Sequence, residues 1–311
     1  MTLGPIFFCC DEGYAAPLAT ALRSLTESNI CNWPLDIRVL VDAAGDWTRN
    51  VQASLPEGAA IVRWHRIELE AFRTFPTNRH ISASTFGRFF IEKFVSAEDK
   101  RALYLDADIL VLGRLDELWR ADLGDCTLGA VRDDFDNELK FLRTPSPPAK
   151  AAPRVAEYFN AGVLLIDLPR WRERRVVEKA LNYLRNNPNT PFADQDALNV
   201  ACDLEWKELG KHWNSVDFVE KINLANTPAE LRPAIVHFAA WRKPWNFAYP
   251  NQNAKFYDKL RDRTLFRRTF LERWLDWARR GWGPSRRTAT SWSRTMASAL
   301  QALLSPKKGI G

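Results

Sequence analysis

Ala102-Leu103-Tyr104-Leu105-Asp106-Ala107-Asp108-Ile109-Leu110-Val111-Leu112 is the stretch on which the fold turns. One apolar run leads into two acids, and a second leads out. Strand side chains alternate with period two, so carboxylates at i and i+2 point to one side of a strand end. Two such neighbouring charges repel, and burying them unpaired is costly. A divalent cation removes the repulsion, and hard carboxylate oxygens suit Mg²⁺ or Mn²⁺. On its own the tripeptide is also the pattern of an exposed acidic turn after a buried strand. An EF-hand is excluded, because Leu110 and Val111 stand where that loop needs an oxygen ligand and a glycine.

Outward from this stretch, the chain alternates strand-like and helix-like segments. Pro5 to Cys10 reads as a buried strand with Asp11-Glu12-Gly13-Tyr14 as its exit loop, and Ala15 to Glu27 reads as a helix. Ile37 to Val41, Ala60 to Trp64, Thr127 to Val131, Gly162 to Ile166 and Ala234 to Phe238 read as further strands. The spacing of Phe86, Phe89, Phe90 and Phe94 predicts a helix over Thr85 to Val95. Pro169 suits the first turn of a helix running to about Arg185, and Asp194 can cap one running through Ala201. Four prolines make Thr144 to Pro153 a loop. The pattern predicts an α/β fold with a mainly parallel central sheet covered by helices. Sites in such sheets form at the carboxyl ends of strands, where Asp11, Asp106, Asp108, Asp133 and His237 fall.

Composition narrows the function classes. The length of 311 residues is enough for one large domain and an appendage. Twelve Lys or Arg against three Asp or Glu lie between Arg261 and Lys308. That is a local excess of +9 within a whole-chain charge of +6, so the rest of the chain carries −3. A folded nucleic-acid binder would carry a basic face on its body, so nucleic acid is not an expected partner. The cysteines (Cys9, Cys10, Cys31, Cys126 and Cys202) include no Cys-x-x-Cys pair, which favours free thiols in a reducing cytosol. Asp11 and Glu12 near the start, with no basic segment before them, give no sign of a signal peptide. No apolar run approaches the length of a membrane-spanning helix. The expected organisation is a catalytic domain over 1–260 and a basic, Trp-rich helical tail over 261–311. In the tail, Phe266, Phe270, Leu271, Trp274, Leu275 and Trp277 predict one amphipathic helix, and Trp292, Met296, Leu300, Leu303 and Leu304 a second. Trp and Arg together suit an anionic membrane surface, although a helical cap packed on the domain has the same pattern.

His237 follows Ala234-Ile235-Val236 and leads into Ala240-Trp241-Arg242-Lys243-Pro244-Trp245. An imidazole beside two carboxylates moves the expected ion from Mg²⁺ toward Mn²⁺. Lys243 offers a positive charge where a diphosphate could lie. With these residues assembled, the chain resembles glycosyltransferase family 8, and in particular its bacterial lipopolysaccharide and lipooligosaccharide α-galactosyl- and α-glucosyltransferases. The resemblance runs from about Ile6 to about Trp245. It rests on Cys9-Cys10-Asp11-Glu12-Gly13-Tyr14, Asn78-Arg79-His80-Ile81-Ser82, Tyr104 to Asp108, Tyr158-Phe159-Asn160-Ala161-Gly162-Val163, Asp194-Gln195-Asp196, and His237 with Lys243-Pro244-Trp245.

The resemblance implies a GT-A nucleotide-sugar-binding domain, a UDP-sugar donor (UDP-galactose or UDP-glucose), Mn²⁺ with Mg²⁺ as the alternative, and retention of anomeric configuration. It implies Asp106, Asp108 and His237 as metal ligands, and Asp11 and Tyr14 at the uracil. It implies Arg88, Asn160, Asp194 and Gln195 at the donor sugar, the last two at the catalytic position. Lys243 falls at the diphosphate, His80 and Ile81 on a loop over the donor, and Ala107 and Ala161 among the donor contacts. Asp133 is implied on the acceptor side. The implied acceptor is a saccharide of a surface glycan, lipid-linked, met by a cytoplasmic protein on the inner face of the cell membrane. Alternatives are transfer to a protein or a soluble sugar, or a non-enzymatic basic binding protein with a decayed sugar site. Two departures stand out: Gly13 where relatives often have Asn, and Ala240 where a Gly often lets backbone approach phosphates.

Overall fold

The computed structural model describes residues 3–30, 34–68, 83–133, 153–240, 242–246 and 251–272. Strand β1 (Ile6–Cys9) is buried at all four positions. Alternation sends Ile6 and Phe8 to one apolar core, and Phe7 and Cys9 to another on the opposite face. A strand apolar on both faces belongs in the middle of a sheet covered on both sides. A 3₁₀ turn (Glu12–Tyr14) leads into helix α1 (Ala15–Ser28), whose Leu18, Leu22 and Leu25 lie in the first core. Burying each such leucine contributes about 1.5–3 kcal/mol. Strand β2 (Leu35–Val41), helix α2 (Asp46–Ala53) and strand β3 (Ala60–Arg66) complete this half.

The segment expected to be an α-helix over Thr85 to Val95 is a 3₁₀ helix, Ala83–Phe94. Three residues per turn stack i over i+3. Phe86 and Phe89 thus share the core side, while Thr85 and Arg88 share the other, with Arg88 Nε donating to the Thr85 carbonyl. Gly87 lets this helix press on β1, since a Cβ there would lie 2.5 Å from Cys9 Sγ.

Strand β4 (Arg101–Leu105) and strand β5 (Ile109–Val111) flank the acidic pair, and helix α3 (Asp116–Arg120) follows. Strands β6 (Leu128–Arg132) and β7 (Phe159–Asp167) come next. The single helix expected from Pro169 to Arg185 is two, α4 (Leu168–Glu173) and α5 (Val176–Asn186), separated at Arg175 with φ 53°. Trp171, Val176, Ala180 and Leu184 are buried. A continuous helix would turn Arg175, not Val176, toward Trp171, so the break resets the apolar phase. Helix α6 (Ala193–Ala201), strands β8 (Trp206–Glu208), β9 (Ser215–Val216) and β10 (Ile235–His237), and helix α7 (Ala254–Arg261) complete the described elements.

Seven strands form the central sheet in the order β3-β2-β1-β4-β7-β6-β8. The sheet is mainly parallel, with β7 antiparallel to both its neighbours. Chain order reverses at the β1–β4 boundary, the switch point where α/β sheets open a crevice at their carboxyl ends. A second sheet, β5-β10-β9, carries His237. His237 therefore does not end a strand of the central sheet, as alternation alone suggested. The Asp106–Asp108 turn takes the chain from β4 in the first sheet to β5 in the second, and β10 pairs with β5.

β7 contains one more device. Phe159 and Ala161 face the second core, but Val163 and Leu165 face the first. The parity flips at Gly162, where the pairing with β6 shifts register between Gly129 and Val131. Bulges of this kind re-aim side chains beside sites, and here Asn160 and Ala161 are the residues re-aimed.

Residues Met1–Arg267 form one compact unit and Arg268–Gly311 a second. Within the first, Arg263 pairs with Glu27 at 2.6 Å, and the Leu265 N–H donates to Ser54 Oγ. Within the second, Thr269 and Glu272 form a reciprocal capping box. Most of the two helices expected in the tail, and the loop expected over Thr144 to Pro153, lie outside the described residues. No helix among the described residues is long and apolar enough to cross a membrane. Four cysteines among them, Cys9, Cys10, Cys126 and Cys202, are free.

Candidate active site

The turn at the end of β4 begins with the Asp106 N–H donating to the Gly162 carbonyl at 2.9 Å, which ties the acidic pair to β7. Asp106 Oδ1 accepts from the Tyr104 hydroxyl at 2.6 Å and from Arg88 Nη2 at 2.9 Å. Its other oxygen, Oδ2, faces His237 Nε2 at 3.8 Å. Asp108 Oδ1 faces the same nitrogen at 3.2 Å, and its Oδ2 pairs with Lys243 Nζ. The Phe238 N–H donates to the Asp108 carbonyl, so β10 holds the turn from the far side.

One ligand atom from each of Asp106, Asp108 and His237 lies within 4.8 Å of the others. Octahedral ligand atoms about 2.1 Å from a cation are about 3 Å apart; Asp108 Oδ1 and His237 Nε2 stand near that spacing, and Asp106 Oδ2 is farther from the same nitrogen. Asp108 Oδ1 is buried and, among the described residues, has no well-aligned hydrogen-bond donor although it faces the imidazole. An orphaned carboxylate oxygen beside a ring nitrogen and a second carboxylate is a donor set that fits a divalent cation. Burial raises the Asp108 carboxyl, but Lys243 and His237 outweigh it and hold the group well below the usual carboxylate range. Burial works against a charged His237, yet Asp108 and Asp106 raise the imidazole above its ordinary value. Both shifts record the same need for positive charge at this point.

Arg88 is the hub of the neighbouring subsite. Its guanidinium donates to the Ala161 carbonyl at 2.7 Å, pairs with Asp194 at 2.9 Å, and stacks over Tyr104 with its centre 4.6 Å from the ring centroid. Burial disfavours its charge, but Asp194, Tyr104 and Asp106 together raise its pKa. Asp194 does not cap its helix, as its position suggested. Phe192 is the cap residue, Ala193 enters with φ 42°, and Asp194 sits inside the first turn facing Arg88. Burial pushes the Asp194 carboxyl up to about 6, against the pull of Arg88.

Gln195 is held at both ends. Its Oε1 accepts from the Ala161 N–H at 3.0 Å, and its Nε2 donates to Asp133 Oδ2 at 3.0 Å. Asn160 Nδ2 donates to the same oxygen of Asp133 at 3.2 Å. Asp133, Asn160, Ala161, Asp194 and Gln195 thus adjoin Arg88 and the acidic pair. Ala107 is buried in the turn. On the other side, Tyr14 meets Trp245 edge-on at 6.1 Å, and Ser84 Oγ donates to Asp11 Oδ2 at 3.4 Å. Burial first, then Asp108 and Asp106, raise the Tyr14 hydroxyl. Lys243 lies beside Asp108 and also donates to the Phe238 carbonyl at 2.6 Å. His80 and Ile81 lie outside the described residues.

Three residues at this site were not singled out as site residues from the sequence. Tyr104 is conspicuous only as a polar ring inside a buried strand. Gly162 approaches His237 so closely that a Cβ would overlap Cε1 and lie 2.7 Å from Nδ1. Asn214 Oδ1 meets His237 Nδ1 at 2.9 Å. In the sequence Asn214 is only an Asn between Trp213 and Ser215, and the burial of all three emerges with the fold.

Fold and site together define a mixed α/β domain with a candidate cation centre at a sheet switch point. The sequence profile of glycosyl transferase family 8 matches residues 5–248, and the chain belongs to that family. Glycosyl transfer is the chemistry that membership assigns. The chain is 27% identical over 260 residues to general stress protein A of Bacillus subtilis (strain 168), covering 78% of this chain and 87% of that one. It is 30% identical over 246 residues to glycosyltransferase GlyF of Streptococcus pneumoniae serotype 4, covering 78% of this chain but only 57% of GlyF. Among solved structures it resembles the galactosyltransferase LgtC in complex with donor and acceptor sugar analogs. There the TM-score is 0.70 at 27% identity, covering 87% of this chain and 98% of that one.

Proposed function

We propose that the protein is a retaining, metal-dependent hexosyltransferase that moves galactose or glucose from a UDP-sugar to a saccharide acceptor of a bacterial surface glycan. The observation that carries this reading is the convergence of Asp106, Asp108 and His237 beside the Arg88–Asp194 subsite. The residues would hold Mn²⁺, which when bound supplies Lewis-acid neutralisation of the diphosphate leaving group. Lys243 adds a second positive charge at the same place. Asp11 and Tyr14 are assigned to the uracil, with the phenol ring as a stacking face. Arg88, Asn160, Asp194 and Gln195 are assigned to the sugar, and Asp133 to the acceptor side.

A retaining hydrolase would put a free carboxylate beneath the anomeric carbon. Gln195 is an amide with both ends engaged, and Asp194 is buried against Arg88. This favours front-face attack by the acceptor hydroxyl, with its proton passing to the departing phosphate oxygen. The competing double displacement through Asp194 predicts a glycosyl-enzyme that mass spectrometry would trap. The basic tail over 261–311 is assigned to an anionic membrane surface, which suits a lipid-linked acceptor. Co-sedimentation with anionic vesicles, comparing the full chain with a truncation after Asp262, tests this; equal binding would refute it.

The central experiment is a panel of UDP-sugars with and without Mn²⁺, read by thermal shift and by release of UDP. Stabilisation and turnover by UDP-galactose or UDP-glucose, dependent on the ion, is the expected result. No response to any UDP-sugar would overturn the reading.

A further inference from the structure

We infer that Asn214 is a positioning residue that fixes the tautomer of His237, so that Nε2 presents a lone pair to the cation site. The inference rests on the proposed metal-dependent reading and adds a residue to it.

The argument starts from a backbone group whose polarity is not in question. The Gly162 N–H can only donate, and it faces the Asn160 side chain at 3.0 Å, so the atom there is Oδ1. The other end of the same amide faces Asp133 Oδ2 at 3.2 Å, which as a carboxylate oxygen accepts. The orientation of Asn160 is therefore fixed at both ends. Asn160 Oδ1 also faces Asn214 at 2.8 Å, and an amide oxygen cannot donate, so the Asn214 atom there is Nδ2. That turns Asn214 Oδ1 toward His237 Nδ1 at 2.9 Å. Nδ1 must carry the proton. In the neutral ring Nε2 is then left with its lone pair, 3.2 Å from Asp108 Oδ1 and 3.8 Å from Asp106 Oδ2.

Gly162, Asn160, Asn214 and His237 are buried, with Asn214 at 2% exposure and Asn160 at 8%, and Asp133 at the far end is half-buried. Buried amides in such a chain have no water with which to exchange partners, so the polarity is held. Gly162 serves twice: its N–H sets the direction, and its missing side chain makes room for the imidazole. Metal-ligating histidines are commonly held this way, with a hydrogen bond to one ring nitrogen orienting the other and setting its basicity. Here the amide that leads into the neighbouring strand β9, 23 residues before the histidine, supplies it.

The test uses the full chain with uniform ¹⁵N label. Long-range ¹H–¹⁵N spectra, with the ring titrated to its neutral form, report which nitrogen of His237 is protonated, the resonance being assigned by its loss in His237→Gln. Mn²⁺ affinity is measured separately by electron paramagnetic resonance. Wild type is expected to show the Nδ1–H tautomer. Asn214→Ala, which removes the acceptor, is expected to lose that preference and to weaken Mn²⁺ about 10–100-fold. Asn214→Asp, which keeps the acceptor at Nδ1 but sets its other oxygen against Asn160 Oδ1, is expected to keep the Nδ1–H tautomer and to hold Mn²⁺ to within about 10-fold of wild type. An Nε2–H tautomer in wild type, or Mn²⁺ binding unchanged in Asn214→Ala, would overturn the inference. If Asn214→Ala fails to fold, the wild-type tautomer and the Asn214→Asp affinity decide it. Failure of the wild type to bind Mn²⁺ at all would sink the metal reading itself, a result distinguishable from a wrong tautomer.

Discussion

Asp106 and Asp108 are two residues apart and are held in opposite ways. Asp106 ends a strand of the central sheet, and its inner oxygen is saturated by Tyr104 and Arg88. Asp108 opens the second sheet, with one oxygen orphaned and the other given to a lysine from a loop. The first is a fixed wall. The second is a socket, occupied from one side by a side chain that the proposed chemistry needs elsewhere. The difference shows which part of the site is prepared by packing and which part waits for a ligand.

The largest expected effect follows from the socket. Asp108→Asn removes the charge that faces both His237 and Lys243 while keeping the volume. UDP-sugar turnover should fall about 1,000-fold or more, as expected for loss of a group that organises leaving-group charge. Circular dichroism should remain that of wild type. Near-normal turnover would contradict the assignment of the whole centre.

Lys243→Met sharpens the same contrast. The Lys243 and Asp108 side chains are each 13% exposed. Removing one partner of a buried pair leaves an uncompensated charge, at a cost of about 3 kcal/mol or more. The melting temperature in EDTA should therefore fall, and Mn²⁺ should recover most of the loss by binding the freed carboxylate. A variant as stable as wild type in EDTA would mean that the Lys243 contact contributes little and that the socket is open already.

Gly162→Ala strikes the His237 side from behind. The new methyl would overlap the His237 ring, which has no room to retreat in a fully packed interior. Mn²⁺ affinity should drop about 10–100-fold, and the Asp106 side of the site, held by Arg88 and Tyr104, should keep its geometry in a crystal structure. Unchanged affinity would mean that the imidazole is free to shift.

The same contrast explains what was legible in the sequence. The wall was legible, because a buried apolar run ending in two acids constrains its own geometry: Leu103, Leu105 and Asp106 follow from strand alternation alone. His237 was legible by residue type, but not by address. Nothing local to Ile235–His237 says that it pairs with β5 instead of extending the central sheet. The break at Arg175 and the 3₁₀ winding of Ala83–Phe94 were hidden because apolar spacing over one or two turns does not separate these windings from an α-helix. Asn214 was hidden most deeply. Its role depends on the direction of the Asn160 amide, 54 residues away, and that direction depends on a backbone N–H of a bulge.

The smallest effect is expected on the loop that delivers Lys243. Ala240 adopts φ 56°, in the left-handed region. That conformation costs a residue with a side chain about 1–2 kcal/mol, and glycine avoids it. Glycine also gives the unfolded chain more freedom, which offsets about 0.4–1 kcal/mol of the gain. Ala240→Gly should therefore raise stability by between about 0 and 1.6 kcal/mol, measured by urea unfolding. Removing the methyl also lets the backbone between Phe238 and Lys243 come closer to a diphosphate, so KM for the UDP-sugar should fall a few-fold with kcat nearly unchanged. A drop in kcat instead would mean that the strain at Ala240 holds Lys243 in a working position, and would move the loop from the waiting part of the site to the prepared part.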